Sequence, residues 1–324
     1  MTTRTFPLTR RLELNSFNLL SAIGSGAFAS VLLAREKGSG RLVCFKRVSK
    51  AKAIQAKHVD HLLNEIWTLS LTDHPFVVKL EGLAQDERYL FIGLEYVPGG
   101  ELHSLLRSKR RLSSPTAAFY AGGVLLAIAH LHSKQIIFRD LKPENVVLDR
   151  RGYPKLVDFG LAKVAQHTYT LCGTPEYTAP EVILQKGHGR SVDWWAFGIF
   201  LYELLVGHDP FGDPDPLEVY QNILEARIRF PKSMESEARS LIKKLLERDL
   251  SKRFGNLRRA EKDIMDHRFF SGLSWPALSE QTLQAPFISK LTSSSDTGNF
   301  VAKKEDKETQ PQSVDQKSDP FFQW

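Results

Sequence analysis

Three short runs carry residue types that suit one kind of chemistry. Phe138-Arg139-Asp140-Leu141-Lys142-Pro143-Glu144-Asn145 comes first, then Asp158-Phe159-Gly160, then Ala179-Pro180-Glu181. Phosphoryl transfer needs little covalent help from a protein. It needs a carboxylate to take the hydroxyl proton, cations against the phosphates and hard oxygen ligands for Mg²⁺. Asp140 offers the carboxylate, Lys142 a cation, and Asn145 and Asp158 the oxygen ligands. The plain alternative is a chance set of polar loop residues, and three runs in this order and at this spacing weigh against it.

Upstream lies Gly24-Ser25-Gly26-Ala27-Phe28-Ala29-Ser30-Val31. Glycines let a backbone come close to phosphate oxygens, yet glycine-rich hairpins are common and this run alone is weak evidence. Val43-Cys44-Phe45-Lys46 follows, with Glu65 inside a later helical pattern. Lys46 and Glu65 read equally well as an ion pair aimed into a cleft or as two unrelated surface charges.

The elements that must position these residues fall into two groups. Strand-like runs at 19–23, 30–34 and 42–48 precede an amphipathic stretch at 58–71, which places Leu62, Leu63, Ile66 and Leu69 on a helical period. Two more strand-like runs, 77–83 and 89–96, end at the break Val97-Pro98-Gly99-Gly100. Helical patterns dominate from 101 to 270, notably at 115–132, 192–206 and 235–248. After Leu291 the chain turns polar, and hydrophobes return only at Phe321, Phe322 and Trp324. The pattern predicts a small β-rich lobe, a hinge, a larger helical lobe and a tail.

Composition narrows the function classes. Hydrophobic residues make up 42% of the 324, enough for a sizeable core. The two cysteines, Cys44 and Cys172, are too few and too far apart for a disulfide framework. Without a signal sequence or an Asn-x-Ser/Thr acceptor, the expected location is cytoplasmic, with the nucleus as a second site. Thr2 excludes N-myristoylation. The apolar stretch 117–131 is read as a buried helix too short to span a bilayer, so no integral membrane segment is expected. A charge of +7 invites a nucleic-acid reading, but the basic residues are scattered and no aromatic-interleaved stripe accompanies them. His130, His132 and His188 show no metal-ligand grouping and are read as structural.

On the runs quoted above, residues 24–270 resemble a eukaryotic protein kinase. The chain is similar to the AGC group of serine/threonine kinases and, within it, to the catalytic subunits of cAMP-dependent protein kinase. Leu171-Cys172-Gly173-Thr174-Pro175-Glu176-Tyr177, Val192-Asp193-Trp194-Trp195-Ala196 and Lys252-Arg253-Phe254-Gly255-Asn256-Leu257 carry that likeness. It continues through Ala285-Pro286-Phe287-Ile288 and Asp296-Thr297-Gly298-Asn299-Phe300 to Phe321-x-x-Trp324. The resemblance implies an α+β, bilobal fold. An antiparallel small lobe with one main helix (17–94) would lead through a hinge (95–100) to a helical lobe (101–270) and an AGC-type tail (271–324). It also implies ATP and Mg²⁺, and a basic Arg-Arg-x-Ser-like protein substrate.

Family roles carry over where residues match. Gly24, Ser25, Gly26, Ala27, Phe28 and Val31 would cover the nucleotide. Lys46 would hold its phosphates and Glu65 would orient Lys46. Asp140 would be the base, Lys142 and Thr174 its neighbours at the transferring group, and Asn145 and Asp158 the metal ligands. Cys44, Leu94, Glu95, Val97 and Phe300 would surround the adenine. Glu101, Glu144 and Glu203 match carboxylates that bind substrate arginines through bidentate, charge-assisted bonds; the bland reading leaves each a solvated surface residue. Leu161 implies a preference for serine over threonine. Thr170 matches an activating phosphosite read by His61, Arg139 and Lys163. Glu181 and Arg253 match a buried bracing ion pair. Phe321 and Trp324 match a motif that docks on the small lobe, and Ser313 a tail phosphosite.

The chain also departs from the pattern. Ala29 stands for the third glycine of the phosphate loop, Cys44 for an alanine on the adenine roof, and Thr178 for an apolar residue near the phospho-acceptor pocket. His167 stands for an arginine ahead of Thr170, which implies a separate upstream activating kinase. Tyr169 stands for a tryptophan used against the inhibitory cyclic-nucleotide-binding regulatory subunit, while Tyr220 is retained. Competing readings are a relative of the cGMP-dependent kinases without their regulatory half, a non-catalytic scaffold, and, most remotely, a nucleic-acid binder. Lys46, Asp140 and Asp158 are all present, which weighs against the scaffold.

Overall fold

The structure, a computed structural model, describes residues 10–25, 29–300, 312–315 and 319–322. Gly26, Ala27, Phe28 and Trp324, and the side chain of Ser25, lie outside the described residues.

Five antiparallel strands form the small lobe: β1 (Phe17–Ser25), β2 (Ala29–Glu36), β3 (Leu42–Ser49), β4 (Leu80–Gln85) and β5 (Tyr89–Glu95), in the order β1-β2-β3-β5-β4. In β3, Val43 and Phe45 are fully buried and pack with Phe17, Leu32, Ala84 and Phe91. Between β3 and β4 run a one-and-a-half-turn helix, α1 (Lys50–Gln55), and the main helix, α2 (Val59–Ser70). Ser49 begins α1 by accepting the Lys52 N–H on its hydroxyl, an N-cap bond that frees the chain to turn off the sheet. The hydrophobic period of α2 puts Leu62, Glu65, Ile66 and Leu69 on its buried face.

The sequence pattern started a strand at residue 77, but β4 begins at Leu80. The backbone of 76–78 is used elsewhere: Val78 N–H bonds to Leu156 O and Leu156 N–H to Phe76 O, so this segment pairs with the large lobe.

The large lobe holds α3 (Leu102–Lys109), α4 (Ser114–Ser133), α5 (Pro180–Ile183), α6 (Ser191–Val206), α7 (Pro216–Glu225) and α8 (Ser236–Leu245), with two further short helices beyond 260. Helix α4 has no polar face, and its burial against α6 and the strands follows from that. It is longer than the apolar stretch suggested. At 20 residues it is long and apolar enough to cross a membrane by length and composition alone, and 67% of its most apolar window is buried inside the lobe. Two small hairpin-like pairs stand between helices: β6 (Ile136–Ile137) with β9 (Lys163–Val164), and β7 (Val146–Leu148) with β8 (Pro154–Leu156). They set the loops that carry the polar runs.

At the break between lobes Gly100 adopts φ +83°, and a Cβ there would lie 2.9 Å from the Asn299 Cβ. Only glycine lets the tail lie this close to the hinge. Further on, Phe321 is fully buried in the small-lobe core beside Val48, Leu62, Ile66 and Ile92.

Candidate active site

Asp140 sits in the loop after β6 with its side chain 12% exposed. Thr174 Oγ1 donates to its Oδ1 at 3.1 Å, Asn145 Nδ2 to its Oδ2 at 2.8 Å, and Lys142 Nζ lies 3.2 Å from Oδ2. Lys142 also donates to Thr174 Oγ1 at 2.8 Å. One carboxylate is thereby fixed by a hydroxyl, an amide and a cation, with residues from two loops 34 positions apart.

Asn145 and Asp158 are brought to one place by the β7–β8 hairpin. Val146 pairs with Leu156, and one step further Val157 N–H bonds to Asn145 O at 2.9 Å. Because Asn145 gives its Nδ2 to both the carbonyl and carboxylate of Asp140, its Oδ1 is left as an acceptor. Asp158 holds φ +58°, and its side chain is 55% exposed.

Spacing alone left Lys46 and Glu65 open, the family likeness paired them, and the structure joins them. Lys46 Nζ donates to Glu65 Oε1 at 2.7 Å and lies 3.5 Å from Asp158 Oδ1. Burial works to lower the Lys46 pKa, but the two carboxylates more than offset it and leave it raised. The lysine therefore stays charged although it is largely buried.

Above this polar floor lies an apolar slot. Ile23, Leu33 and Cys44 are its buried members, with Val31, Leu42, Leu94, Tyr96 and Phe300 against them. Gly24 lies in β1 opposite Val31 of β2. The Tyr96 hydroxyl donates to the Asp296 carbonyl, and the Phe300 ring centroid is 6.2 Å from that of Tyr96. Burial pushes the Cys44 thiol up to about 12, with Glu95 adding to it, so the thiol is not nucleophilic at neutral pH. Glu95 ends β5 and pairs with Lys155 at 2.7 Å, and Val97 is buried just beyond it.

Of the three carboxylates proposed for substrate arginines, the structure groups two. Burial pushes Glu203 up to about 7, against the Tyr177 hydroxyl that donates to it, and the charges of Glu144 and Asp209 add to the rise. Glu144 is half-exposed, with His103 Nε2 3.8 Å away. Glu101 begins α3 as an exposed residue, and no hydrogen bond or ion pair among the described residues joins it to the other two.

Around Thr170 the cations are only partly assembled. Lys163 donates to Thr168 Oγ1 at 3.0 Å, and that hydroxyl lies 3.4 Å from Thr170 Oγ1. Arg139 donates through Nε to Leu161 O, while its Nη1 is buried without a hydrogen-bond partner. His61 stands exposed on α2 with its ring beside His58. Farther back, Arg253 makes two bonds to Glu181 at 2.6 and 3.0 Å and is fully buried.

Three residues at the site carried no role in the sequence reading, Asp193, Tyr177 and Asp209, and a fourth, His132, was read only as structural. Asp193 had a legible signal. It is one of two acids in the mostly apolar helix α6, the other being Glu203, and a buried carboxylate must find donors. Those donors are the Phe138 and Arg139 N–H groups and His132 Nε2.

The protein kinase domain family matches residues 17–270. The chain is 45% identical over 289 residues to the human cAMP-dependent protein kinase catalytic subunit PRKX, covering 89% of this chain and 81% of that one. It is 43% identical over 278 residues to the Saccharomyces cerevisiae cAMP-dependent protein kinase type 3, covering 86% and 70%. A Dictyostelium discoideum cAMP-dependent protein kinase catalytic subunit is 43% identical over 295 residues, covering 91% and 46%.

Proposed function

Because the chain belongs to the protein kinase family, we propose that it moves the γ-phosphoryl group of ATP to serine or threonine in proteins with Arg-Arg-x-Ser-like sites, as a catalytic subunit of the cAMP-dependent type. The observation that carries this is the Asp140 carboxylate, held by Thr174, Asn145 and Lys142 beneath the Lys46–Glu65 pair.

The residues suit the nucleotide. The slot of Ile23, Leu33, Cys44, Leu94 and Phe300 is apolar enough for a purine ring, and Lys46 is the cation positioned for its phosphates. Among the described residues no three His, Cys, Asp or Glu side chains gather as a metal cage. Mg²⁺ does not need one. It is commonly held by one or two protein oxygens besides waters and phosphates, and Asp158 and Asn145 Oδ1 would be those ligands here. When bound, it would neutralise charge on the phosphates.

Asp140 takes the proton of the attacking serine hydroxyl, and Thr174 and Asn145 hold the carboxylate in line for it. Lys142 balances charge on the transferring group. Glu203 and Glu144 take the guanidinium groups of the substrate as bidentate partners. The names of the relatives support control by a separate, inhibitory cyclic-nucleotide-binding subunit. Tyr169 and Leu171, two residues apart beside Thr170, are exposed apolar side chains that such a subunit could cover. Thr170 is the activating phosphosite, served by an upstream kinase.

The test is labelled phosphate transfer from ATP to two peptides, one with the two arginines and one with alanines there, using protein phosphorylated at Thr170. Selective labelling of the arginine peptide, lost in Asp158→Ala, supports the reading. No transfer to either peptide, despite nucleotide binding, moves the function to a scaffold.

A further inference from the structure

Between the large lobe and Phe300 the tail meets an arginine from each lobe. Arg35, on β2, donates through Nη2 to Ser295 Oγ at 3.1 Å, and its Nε is buried with no hydrogen bond. Arg150, in the turn between β7 and β8, donates through Nη2 to Ser294 O at 2.6 Å. Among the described residues neither arginine is ion-paired with a carboxylate.

Asp296, next to Ser295, is already committed within the tail. Asp296 Oδ2 accepts the Thr292 N–H at 2.6 Å and its hydroxyl at 2.8 Å, and Oδ1 accepts the Gly298 N–H at 2.8 Å. Two guanidinium groups therefore meet this run of serines through neutral oxygens, Ser295 Oγ and Ser294 O. An arginine fork holding a lone hydroxyl is a weak use of a group built for planar, doubly charged acceptors.

We propose that Ser295 is a phosphorylation site, and that its phosphate is held by Arg35 of the small lobe and Arg150 of the large lobe. In the modification, the Ser295 Oγ–P bond forms as the γ-phosphorus to bridging-oxygen bond of ATP breaks. The hydroxyl proton passes to the base of the modifying kinase, and ADP leaves. The phosphate brings nearly two charges and three acceptor oxygens. Arg35 Nε and Nη2 lie on one edge of the guanidinium and take two of those oxygens, which satisfies the orphaned Nε. Arg150 exchanges a neutral carbonyl for an anionic partner one residue away.

The consequence lies a few residues on. Tyr96 holds the Asp296 carbonyl, Asn299 Nδ2 donates to Pro98 O at 3.0 Å, and Phe300 packs on the apolar slot. Pinning residue 295 to both lobes restricts this segment, so less ordering entropy remains to be lost when a nucleotide binds. This consequence rests on the nucleotide-site reading above, whereas the phosphate cradle itself does not.

The experiment uses the full chain with phosphoserine encoded at 295, with and without Arg35→Gln, and with Arg35→Lys as a variant that keeps the charge but loses the fork. A broad-specificity phosphatase should remove the phosphate on the order of tenfold more slowly when Arg35 is present, about what one added charge-assisted bond supplies. The Kd for ATP should fall several-fold on phosphorylation, and only when Arg35 is present. Peptide mapping of the protein from its own cells, kept in phosphatase inhibitors, should find the phosphate on Ser295. Equal phosphatase rates with and without Arg35, or an unmodified tail peptide throughout, overturn the proposal. Failure of the unmodified protein to bind ATP would instead sink the nucleotide-site reading and leave the phosphatase comparison to decide the cradle.

Discussion

Asp193 Oδ1 accepts the backbone N–H of Arg139 at 2.8 Å, so a fully buried residue of α6 holds the residue immediately before the proposed base. Its other oxygen accepts Phe138 N–H at 2.9 Å and His132 Nε2 at 2.7 Å. Arg139 needs that support. Its φ of +69° is left-handed, a conformation that costs a non-glycine residue about 1–2 kcal/mol. The core helix therefore sets where Asp140 points.

Asp193→Asn should accordingly act on the chemistry more than on nucleotide binding. An amide cannot accept on both sides, so one backbone N–H would face an NH₂ group. We expect kcat to drop by at least about tenfold, since each misplaced catalytic group costs more than about 1.4 kcal/mol. The Kd for ATP should stay within about twofold, because Lys46 and Glu65 lie in the other lobe. A folded variant with normal kcat would show that the loop holds its geometry without Asp193.

Glu203 sets a pH dependence. Burial pushes its carboxyl up to about 7, and Glu144 and Asp209 add to the shift. Below that value it is mostly neutral and a poor partner for a guanidinium. kcat/KM for the arginine peptide should therefore rise between pH 6 and 8, beyond any slope seen with a peptide lacking the arginine that Glu203 meets. Tyr177→Phe removes a hydrogen bond that lowers this pKa and should move the rise to higher pH. The stability effect has the opposite sign. A carboxyl whose folded pKa is raised from 4.5 to about 7 binds its proton more tightly when folded. The stability this contributes is present below 4.5 and lost as pH rises to 7, on the order of 3 kcal/mol. Glu203→Gln should raise Tm at pH 8 while weakening use of the arginine peptide, and an unchanged Tm would contradict the desolvation account.

A second pH effect concerns stability alone. His74, between α2 and β4, stacks on His130 of α4 with centroids 4.8 Å apart. Burial lowers the His74 pKa from 6.5 to about 4, with His130 and Lys155 adding to the shift and Asp73 opposing it. Burial and Lys134 lower His130 as well. Both rings favour neutrality in the fold, so their contribution is present above pH 6.5 and lost as pH falls towards 4. Allowing for partial exposure, this amounts to roughly 1–2 kcal/mol. His130 Nε2 is buried without a partner, so His130→Phe should leave Tm at pH 8 unchanged or higher and reduce its fall between pH 7 and 5. A fall as steep as in the unaltered protein would place the acid sensitivity elsewhere.

What was legible in the sequence was local. The polar run 138–145 and the apolar period of α2 depend on near neighbours, and both were read with their elements. Lys46 and Glu65 stayed open on spacing alone and were paired only through the family likeness, because their meeting depends on how α2 packs in the small lobe, which spacing does not contain. The start of β4 was misplaced for a related reason: residues 76–78 look like strand but find their hydrogen bonds in the other lobe. Tyr177, Asp209 and Glu203 come together from three segments, and no local pattern marks them as a set. Asp193 was the exception, since an acid set between Val192 and Trp194 in a mostly apolar helix announces a buried partner.

The tail offers the last test. Lys50 Nζ and Asp319 Oδ2 pair at 2.5 Å with only 2% and 6% of their side chains exposed. Gln85 ties this pair to its neighbour, accepting from Lys50 at 2.8 Å and donating to Phe321 O at 3.0 Å. Phe321 in turn packs on Leu62 and Ile66, which flank Glu65 on α2. Removing one member of such a pair strands a buried charge, at a cost of about 3–5 kcal/mol. Lys50→Met and Asp319→Asn should each lower Tm sharply, and the double variant should be more stable than the sum of the two losses predicts. Because Phe321 braces the helix that holds Glu65, the single variants should also raise the KM for ATP. Strictly additive losses with an unchanged KM would mean that the tail is merely attached to the small lobe and does not brace α2.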